Sequence, residues 1–467
     1  MLGVAVVPVL RVRAQQVGGV MAALSGYMAA ARERPLPAAV IERAKHHILD
    51  TVAAMISGSQ LTPGRAALRF AAAQAGRGTA TVIGANMLLE PIEAALVNGT
   101  LAHSDETDDS HGESQSHPGA AVVPAALAVG EQLGIGGAQF LRAVTLGYDV
   151  GPRLTMALGG MAFRNDTRRS THAFAGTFGA AAAAGCAAGL TAGQMRWLLD
   201  YASQQAAGYA VWSRDTEHVE KAFVFGGMPA RAGVTAAELV RAGWSGVEDV
   251  LSGEDNFFKV NAPAAKPERL VEALGERYEI VNTDIKKWTV GTPIQGPLDA
   301  LESLLRKHGF AADDVTEVVV RLAPAVGSVV DNRDIPDICL QHMLAVMLVD
   351  RTVSFHAAHD TQRMKDPAVL RERSKVRYVP DAELTALLPV RVAIVEVALR
   401  DGTRRSERVE AVRGTVRNPM GRDEVVAKAR DLIAPVLGDA TADRLIAALL
   451  ALDTLGDIRD LRPLLQR

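Results

Sequence analysis

Apolar residues recur at the spacing of an α-helix through most of this chain up to about residue 272. The first clear case is the segment 40–57, where the repeat runs through Val40 and Ile48 and ends at Gly58. Later segments consist largely of Ala and Gly, above all 179–189. Because small side chains let helix backbones approach closely, this part of the chain is predicted to form a tightly packed all-α core. The further helices are predicted at 66–75, 93–102, 120–133, 139–158, 175–188, 194–209 and 229–242.

The pattern changes after Pro267. Three segments rich in β-branched residues alternate between polar and apolar positions and are predicted to be strands. The pair Asp401 and Gly402 predicts a hairpin turn that joins the third strand to one ending near Val412. The strands are 278–290, 315–322 and 390–399, and helical patterns fall at 297–308, 337–350, 422–437 and 440–450.

At 467 residues the chain exceeds what a single hydrophobic core usually serves, so two domains are expected. The order of the patterns predicts a mainly α fold, in which a large all-helical domain carries a smaller inserted α+β lid domain. We assign residues 21–272 and 419–467 to the helical domain and residues 273–418 to the lid. Residues 1–20 are assigned to a loose N-terminal extension, because their apolar start lacks the basic region of a signal peptide.

Composition argues against several classes of function. The net charge is -3 and no basic stripe with interleaved aromatics occurs, so a nucleic-acid partner is not expected. No uninterrupted run of about 20 apolar residues is present, so no membrane span is expected. Cys186 and Cys339 are far apart in apolar contexts, which argues against a disulfide or a Cys-based metal site and favours a reduced, cytoplasmic location.

The segment 98–119 concentrates the ionisable residues of the chain. It holds three His, three Asp and two Glu within 22 residues, between two Ala-rich segments that are predicted to be helices. Gathering these groups costs desolvation and like-charge repulsion, and active sites often accept that cost because it shifts pKa values. The connection between the two helices is therefore the first candidate for a catalytic site.

Several short motifs resemble the MmgE/PrpD family, which includes 2-methylcitrate dehydratase, cis-aconitate decarboxylase and iminodisuccinate epimerase. Each motif alone is weak, but their order and spacing over roughly residues 40–460 are fairly specific. The motifs are Asp50-Thr-Val-Ala-Ala, Asn98-Gly-Thr-Leu-Ala-His, Asp108-Asp-Ser, His117-Pro-Gly, Gly147-Tyr-Asp and the segment 414–419.

The resemblance implies a helical domain with an α+β lid, usually as a homodimer, with the pocket between the two domains. It also implies a small di- or tricarboxylate substrate and reactions at a carbon next to a carboxylate, with no metal and no organic cofactor. Such chemistry needs a base or acid close to that carbon and positive charge where negative charge develops.

In the acidic segment, the resemblance places the family's aspartate-rich stretch on Glu106, Asp108, Asp109 and Ser110, and a histidine on His117. We expect His117 to move protons, Asp108 and Asp109 to orient it, and Glu106 and Ser110 to contact substrate. An alternative for Asp109 and Ser110 is that they only cap the next helix, and this explains Ser110 better.

A second family histidine falls on His172, which becomes a candidate for acid or base catalysis, although a histidine before a small-residue helix is usually structural. A family lysine falls on Lys221, whose point charge suits a substrate carboxylate. The alternative is that Lys221 is an ordinary solvated lysine at the surface.

The predicted lid departs from the family pattern at two positions. Gln295 stands where the dehydratases and the decarboxylase carry a histidine, and His342 stands where they carry a tyrosine. Gln295 cannot move a proton at neutral pH, whereas His342 can, so the set of proton-handling residues is rearranged. Lys286 and Lys287 are candidates for binding a substrate carboxylate, or for a solvated strand end.

Other residues of the acidic segment have simpler interpretations. His103 is expected to be a packed structural histidine, and His111 and Glu113 are expected to be solvated. A divalent-ion site formed by His103, Asp108, Asp109, His111 and His117 is an alternative, but the spacing matches no familiar ligand set.

Three functions therefore stay in competition. The first is a cofactor-independent lyase of small polycarboxylates, either a dehydratase or a decarboxylase. The second is an epimerase or isomerase that exchanges the same α-proton without elimination. The third is a non-catalytic helical binding protein that has kept the fold.

Overall fold

The computed structural model describes residues 17–74, 76, 78–388 and 390–467. Most of the predicted N-terminal extension lies outside these residues, but its last two positions already belong to the first helix, which begins at Gly19. Within the described part of the chain, no helix is both long enough and apolar enough to cross a membrane.

Among the described residues, eleven α-helices precede residue 242. The predicted helices of this region are confirmed, with ends that differ by a few residues. They are Gly19–Ala30 (α1), Ala38–Gly58 (α2), Thr62–Gln74 (α3), Pro91–Ala102 (α4), Pro118–Leu133 (α5), Gly137–Leu158 (α6), Met161–Thr167 (α7), Thr171–Ala188 (α8), Ala192–Gln205 (α9), Val219–Ala222 (α10) and Met228–Arg241 (α11).

Glycines allow the central helices α6 and α8 to touch backbone to backbone. A Cβ atom on Gly151 would lie 2.4 Å from the carbonyl oxygen of Ala175, and one on Gly147 would lie 2.7 Å from that of Gly179. Neither distance is sterically possible, so the Ala and Gly content of these segments follows from the close helix packing.

The rest of the described chain combines shorter helices with two small sheets. The helices are Phe257–Asn261 (α12), Thr292–His308 (α13), Pro324–Gly327 (α14), Leu340–Asp350 (α15), Phe355–His359 (α16), Pro367–Arg373 (α17), Arg422–Leu437 (α18), Asp439–Leu450 (α19) and Arg462–Leu465 (α20). The strands are Ala80–Thr81 (β1), Leu88–Leu89 (β2), Val315–Leu322 (β3), Val376–Pro380 (β4), Ala393–Leu399 (β5) and Arg404–Val409 (β6).

The larger sheet has the strand order β4-β3-β5-β6. β3 pairs in parallel with β4 and antiparallel with β5, which forms the predicted hairpin with β6. Helices α13 and α15 pack beside this sheet and share its hydrophobic core, which contains residues from Trp288 to Val397. A separate and larger core unites the early helices with α18 and α19. The fold is thus mainly α, with a second, α+β core, and the role of that core as a lid stays a prediction.

The predicted strand 278–290 is wrong. The segment begins with turns, and it pairs with loops and not with a strand. Asp284 forms an isolated antiparallel bridge with Ser110, and the backbone N–H of Ile285 donates to the carbonyl of Gly414. The segment therefore runs between the two cores and lies against the acidic loop.

Candidate active site

The connection between α4 and α5 is a buried loop of charged residues. Asp105, Glu106, Asp108 and Asp109 are all at most 7% exposed. Buried carboxylates require charged or hydrogen-bonding partners, and each of these four has a partner outside the loop. The loop is consequently the meeting point of α2, α6, α10, α16 and the segment 278–290.

Asp108 joins two histidines at the centre of the loop. Its Oδ2 lies 2.9 Å from His103 Nδ1, its Oδ1 lies 3.2 Å from His117 Nδ1, and the Lys286 ammonium group is 3.6 Å away. Burial alone would raise the pKa of Asp108, but these neighbours hold it well below its usual value. Because an ionised carboxylate only accepts hydrogen bonds, both Nδ1 atoms carry the proton.

His172 lies at the start of α8, next to His117. The two ring centroids are 5.1 Å apart, and the His172 ring stacks on Phe225 at 3.7 Å. Burial, reinforced by the neighbouring His117 and Arg164, lowers the pKa of His172 well below its usual value, so the ring is neutral. Its Nδ1 has no hydrogen-bond partner among the described residues.

Glu106 brings two ammonium groups to the same place. It forms an ion pair with Lys221 on α10, and its Oε2 lies 3.8 Å from the Lys286 Nζ, which also donates to the Glu106 carbonyl at 2.7 Å. Burial opposes ionisation, but the two lysines hold the pKa of Glu106 well below its usual value. Lys221 also lies over the ring of Phe225, 5.3 Å from its centre.

Asp109 points away from this cluster, although it is adjacent to Asp108. Its Oδ2 lies 2.8 Å from His47 Nδ1 and accepts from the Tyr148 hydroxyl at 2.6 Å. Its Oδ1 accepts from the backbone N–H of Gly119 in the first turn of α5. Asp109 thus ties α2 and α6 to the start of α5, which is the place where His117 is held.

The sequence favoured Ser110 as a cap of the next helix, and this prediction is wrong. The Ser110 backbone instead exchanges hydrogen bonds of 3.0 and 2.8 Å with Asp284. His117 occupies the N-cap position of α5, and its side chain makes no capping hydrogen bond.

The two altered positions of the predicted lid do not join the cluster. Gln295 accepts from the backbone of Trp288 and donates to the carbonyls of Trp288 and Val290, so its amide is used within α13 and the turn before it. His342 is fully buried on α15, and the charged groups that affect it are Arg373, Arg363 and Asp360.

Of the two neighbouring lysines, only Lys286 reaches the cluster. Lys287 pairs with Glu302 at 2.5 Å and lies over the ring of Trp288. The two side chains have different partners, and sequence position alone does not show which of them faces the loop.

Three simpler expectations for the loop have different outcomes. His103 is buried, but it is bonded to Asp108 and leaves its Nε2 without a partner among the described residues. His111 is not solvated: it is 3% exposed, with Nδ1 2.8 Å from the Ser114 hydroxyl and Nε2 3.5 Å from Glu279. Glu113 is exposed, as expected.

The structure adds residues that the sequence analysis did not single out. His359 on α16 places Nε2 2.9 Å from Asp105 and 4.0 Å from Asp337. His218 lies three positions before Lys221, with its ring 5.2 Å from that of His103. The position of His218 beside Lys221 was a usable signal, whereas nothing in the spacing of His359 or Asp337 points to the loop.

Two sets of side chains in the described chain have the mutual distances of metal ligands. They are His103, Asp108 and His117, and His103, Glu106 and His218. Asp108 already accepts from two imidazoles, and Glu106 already pairs with two ammonium groups. A cation at either place would compete with these interactions.

The cluster is closed in this structure. The His117 side chain is 11% exposed, and His172 is 8% exposed. A cavity of about 260 Å³ lies elsewhere, beside Glu113, Met156 and Lys266, and no residue of the cluster lines it. The cluster, and not this cavity, brings imidazole, carboxylate and ammonium groups into mutual contact.

Two family models together match nearly the whole chain. The MmgE/PrpD N-terminal domain matches residues 22–270, and the MmgE/PrpD C-terminal domain matches residues 288–454. A cis-aconitate decarboxylase of Aspergillus terreus is 28% identical over 464 residues, which are 92% of this chain and 92% of that protein. Proteins of the same name from Homo sapiens and Mus musculus are 28% and 26% identical, and each covers 91% of this chain. The matches cover 90% of the human protein and 89% of the mouse protein.

Proposed function

The chain belongs to the MmgE/PrpD family, and from the buried His, Asp and Lys cluster we propose that it is a lyase that decarboxylates cis-aconitate or a closely similar tricarboxylate. The observation that carries the proposal is the Asp108 carboxylate, which bonds His103 and His117 while Lys286 lies beside it and Lys221 pairs with the nearby Glu106. The names of the relatives support the substrate, and the cluster supports the type of reaction.

The proposed reaction needs one proton for each molecule of CO₂ released. When the bond to the departing carboxylate breaks, its electron pair forms a new double bond and displaces the π pair of the double bond already present in the substrate. The displaced pair then takes a proton at the carbon next to a remaining carboxylate. His117 is the proposed donor, because Asp108 fixes its Nδ1–H and stabilises the imidazolium form, and Nε2 is left for the substrate.

The remaining residues of the cluster have supporting roles. Lys221 and Lys286 neutralise substrate carboxylates and the charge that develops as CO₂ leaves. His172 is neutral and 5.1 Å from His117, so it can relay or hold a proton at the second face of the substrate. These groups supply acid, base and positive charge, and the proposal requires no metal or organic cofactor.

Entry of substrate requires that the α+β core move as a lid. The cluster is closed, and Lys286 and His359 approach it from the segment between the cores and from the second core. A homodimer, as the family resemblance implies, stays a prediction that light scattering would test.

The deciding experiment is an NMR assay in D₂O with the metal-stripped protein and a panel of polycarboxylates that includes cis-aconitate. We expect loss of CO₂ and a five-carbon unsaturated dicarboxylate that carries deuterium next to a carboxylate. His172→Ala should lower turnover by about 10²–10⁴-fold with an unchanged circular dichroism spectrum, whereas His356→Ala, at an exposed position, should not.

A second candidate is epimerisation, and the adjacent His117 and His172 rings favour it, because two imidazoles can exchange a proton at one carbon. In the same assay, deuterium exchange with inverted configuration and no CO₂ would select this candidate. Release of water to form an alkene would select the dehydratase.

A further inference from the structure

His218 has a left-handed backbone conformation, which is uncommon for residues other than glycine. Its φ is 63° and its ψ is 6°, in the left-handed region where a side chain crowds the backbone. It immediately precedes α10, the helix that carries Lys221. Strained residues of this kind cluster at ligand sites, where the surrounding structure holds them in place.

The side chain of His218 ends in a buried nitrogen that lacks a partner. Its Nε2 has no hydrogen-bond partner among the described residues, and its ring lies 5.2 Å from that of His103. Ligand atoms of His218, His103 and Glu106 all lie within 4.8 Å of one another. A buried polar nitrogen without a partner is unfavourable, so its partner is expected to be a ligand.

The surrounding charge identifies the kind of ligand. Lys221 and Lys286 place two ammonium groups at Glu106, and an anion next to them is favoured over a cation. Burial and the Lys221 charge lower the pKa of His218 to about 3, so the ring is neutral and offers a single N–H. A neutral imidazole can bind an anionic oxygen without adding charge to the site.

We propose that the His218 Nε2–H donates a hydrogen bond to a carboxylate of the substrate, beside Lys221, and that His218 thereby helps to select a tricarboxylate over a dicarboxylate. The inference rests on the proposed function. His218 is not one of the site residues that the family motifs predicted.

Two substitutions separate this role from a structural one. His218→Asn keeps a residue that tolerates the left-handed conformation but removes the Nε2 position. His218→Gln places an amide near the Nε2 position and should restore part of the effect. His356→Asn, at an exposed position on α16, is the matched control.

Binding is measured by calorimetry with propane-1,2,3-tricarboxylate, the saturated analogue of cis-aconitate, and turnover is measured with cis-aconitate. We expect His218→Asn to weaken binding of the analogue and to raise KM by about 10- to 100-fold. The kcat value should change much less, and His218→Gln should recover at least part of the affinity. Binding of butanedioate should hardly differ between the wild type and His218→Asn.

Several outcomes would overturn the inference. One is unchanged affinity in His218→Asn with intact turnover, which leaves the proposed function standing. Another is an equal loss for both ligands accompanied by a lower melting temperature, which indicates a structural role. If the wild type neither binds the analogue nor converts cis-aconitate, the proposed function fails and the role of His218 fails with it.

Discussion

Asp108 and Asp109 are neighbours in sequence but serve different parts of the molecule. Asp108 faces His103 and His117, whereas Asp109 faces His47 and Tyr148. Their side chains leave the loop on opposite sides, so one contacts the proposed catalytic cluster and the other the helical core. This difference makes the pair a matched test of the mechanism.

Asp108→Asn should lower kcat by about 10²–10⁴-fold, because the amide cannot stabilise the His117 imidazolium as the carboxylate does. Asp109→Asn should act mainly on stability, with a loss of about 1–3 kcal/mol from its bonds to His47 and Tyr148. Steady-state kinetics and thermal melting of both variants check the assignment. Equal kinetic losses in the two variants would contradict it.

At the scale of single residues, the sequence could identify candidate site residues but not the direction in which their side chains point. Lys286 was proposed as one of two adjacent lysines, and Glu106, His117, His172 and Lys221 were proposed from their motifs. The structure brings these five residues together. Gln295 and His342 were proposed on the same grounds. The structure turns them elsewhere, because the face that a helix presents depends on packing between distant segments. That information is absent from local spacing.

At the scale of elements, the cluster depends on one contact between small residues. Residues Phe223–Gly227 form a π-helical turn that carries Phe225 into the histidine cluster. Gly226 in this turn touches α4, since a Cβ there would lie within 2.0 Å of the Gly99 carbonyl oxygen. π-Helical turns inside helices are often found at functional sites.

Gly226→Ala should therefore destabilise the protein by about 1–3 kcal/mol and shift Phe225 and Lys221, because backbone at both sides of the contact must separate. Gly193→Ala is the control, since its Cβ would meet only a side-chain nitrogen of Arg196 at 3.6 Å. This second change should stabilise α9 by about 0.5–1 kcal/mol. Chemical denaturation measures both, and a neutral Gly226→Ala variant would show that the contact is slack.

Elements with strong internal periodicity were predictable. The residues of β3 and α18 are those that the alternation and the helical spacing predicted. The segment 278–290 failed because its partners are loops, and β4 was missed because it is short and ends in Pro380. Pairing between distant segments is what the local pattern does not contain.

At the scale of the whole molecule, the two cores meet at the acidic loop through an ionic contact. His359 belongs to α16, whose Ala357 and Ala358 pack in the second core, and its Nε2 lies 2.9 Å from Asp105. Its Nδ1 lies 2.8 Å from the Phe355 carbonyl, which orients the ring. The Asp337 carboxylate lies 4.0 Å from the same Nε2 atom.

The pKa values of this contact predict how it responds to pH. Burial opposes the charge on His359, but Asp105 raises its pKa to about 9. Burial, with help from Asp105 and Glu106, raises the pKa of Asp337 to about 7. Both groups bind their proton more tightly in the folded state than in the unfolded state. Stability therefore falls as pH rises, from about 4 to 7 through Asp337 and from about 6.5 to 9 through His359.

His359→Asn should consequently cost most at low pH. At pH 6 it removes the positive partner of a buried carboxylate, and breaking such a pair costs about 3–5 kcal/mol. Above pH 9 the wild type has itself lost that charge, so the difference in free energy of unfolding between wild type and variant should shrink.

Asp337→Asn, which imitates the protonated carboxyl, should remove the part of the decline in stability that occurs below pH 7. Urea denaturation at pH 6, 7.5 and 9.5 measures these differences, with His356→Asn on the same helix as the control. If the difference in free energy of unfolding between wild type and His359→Asn is constant across this pH range, the charge on His359 does not contribute and the contact stabilises the protein by packing alone.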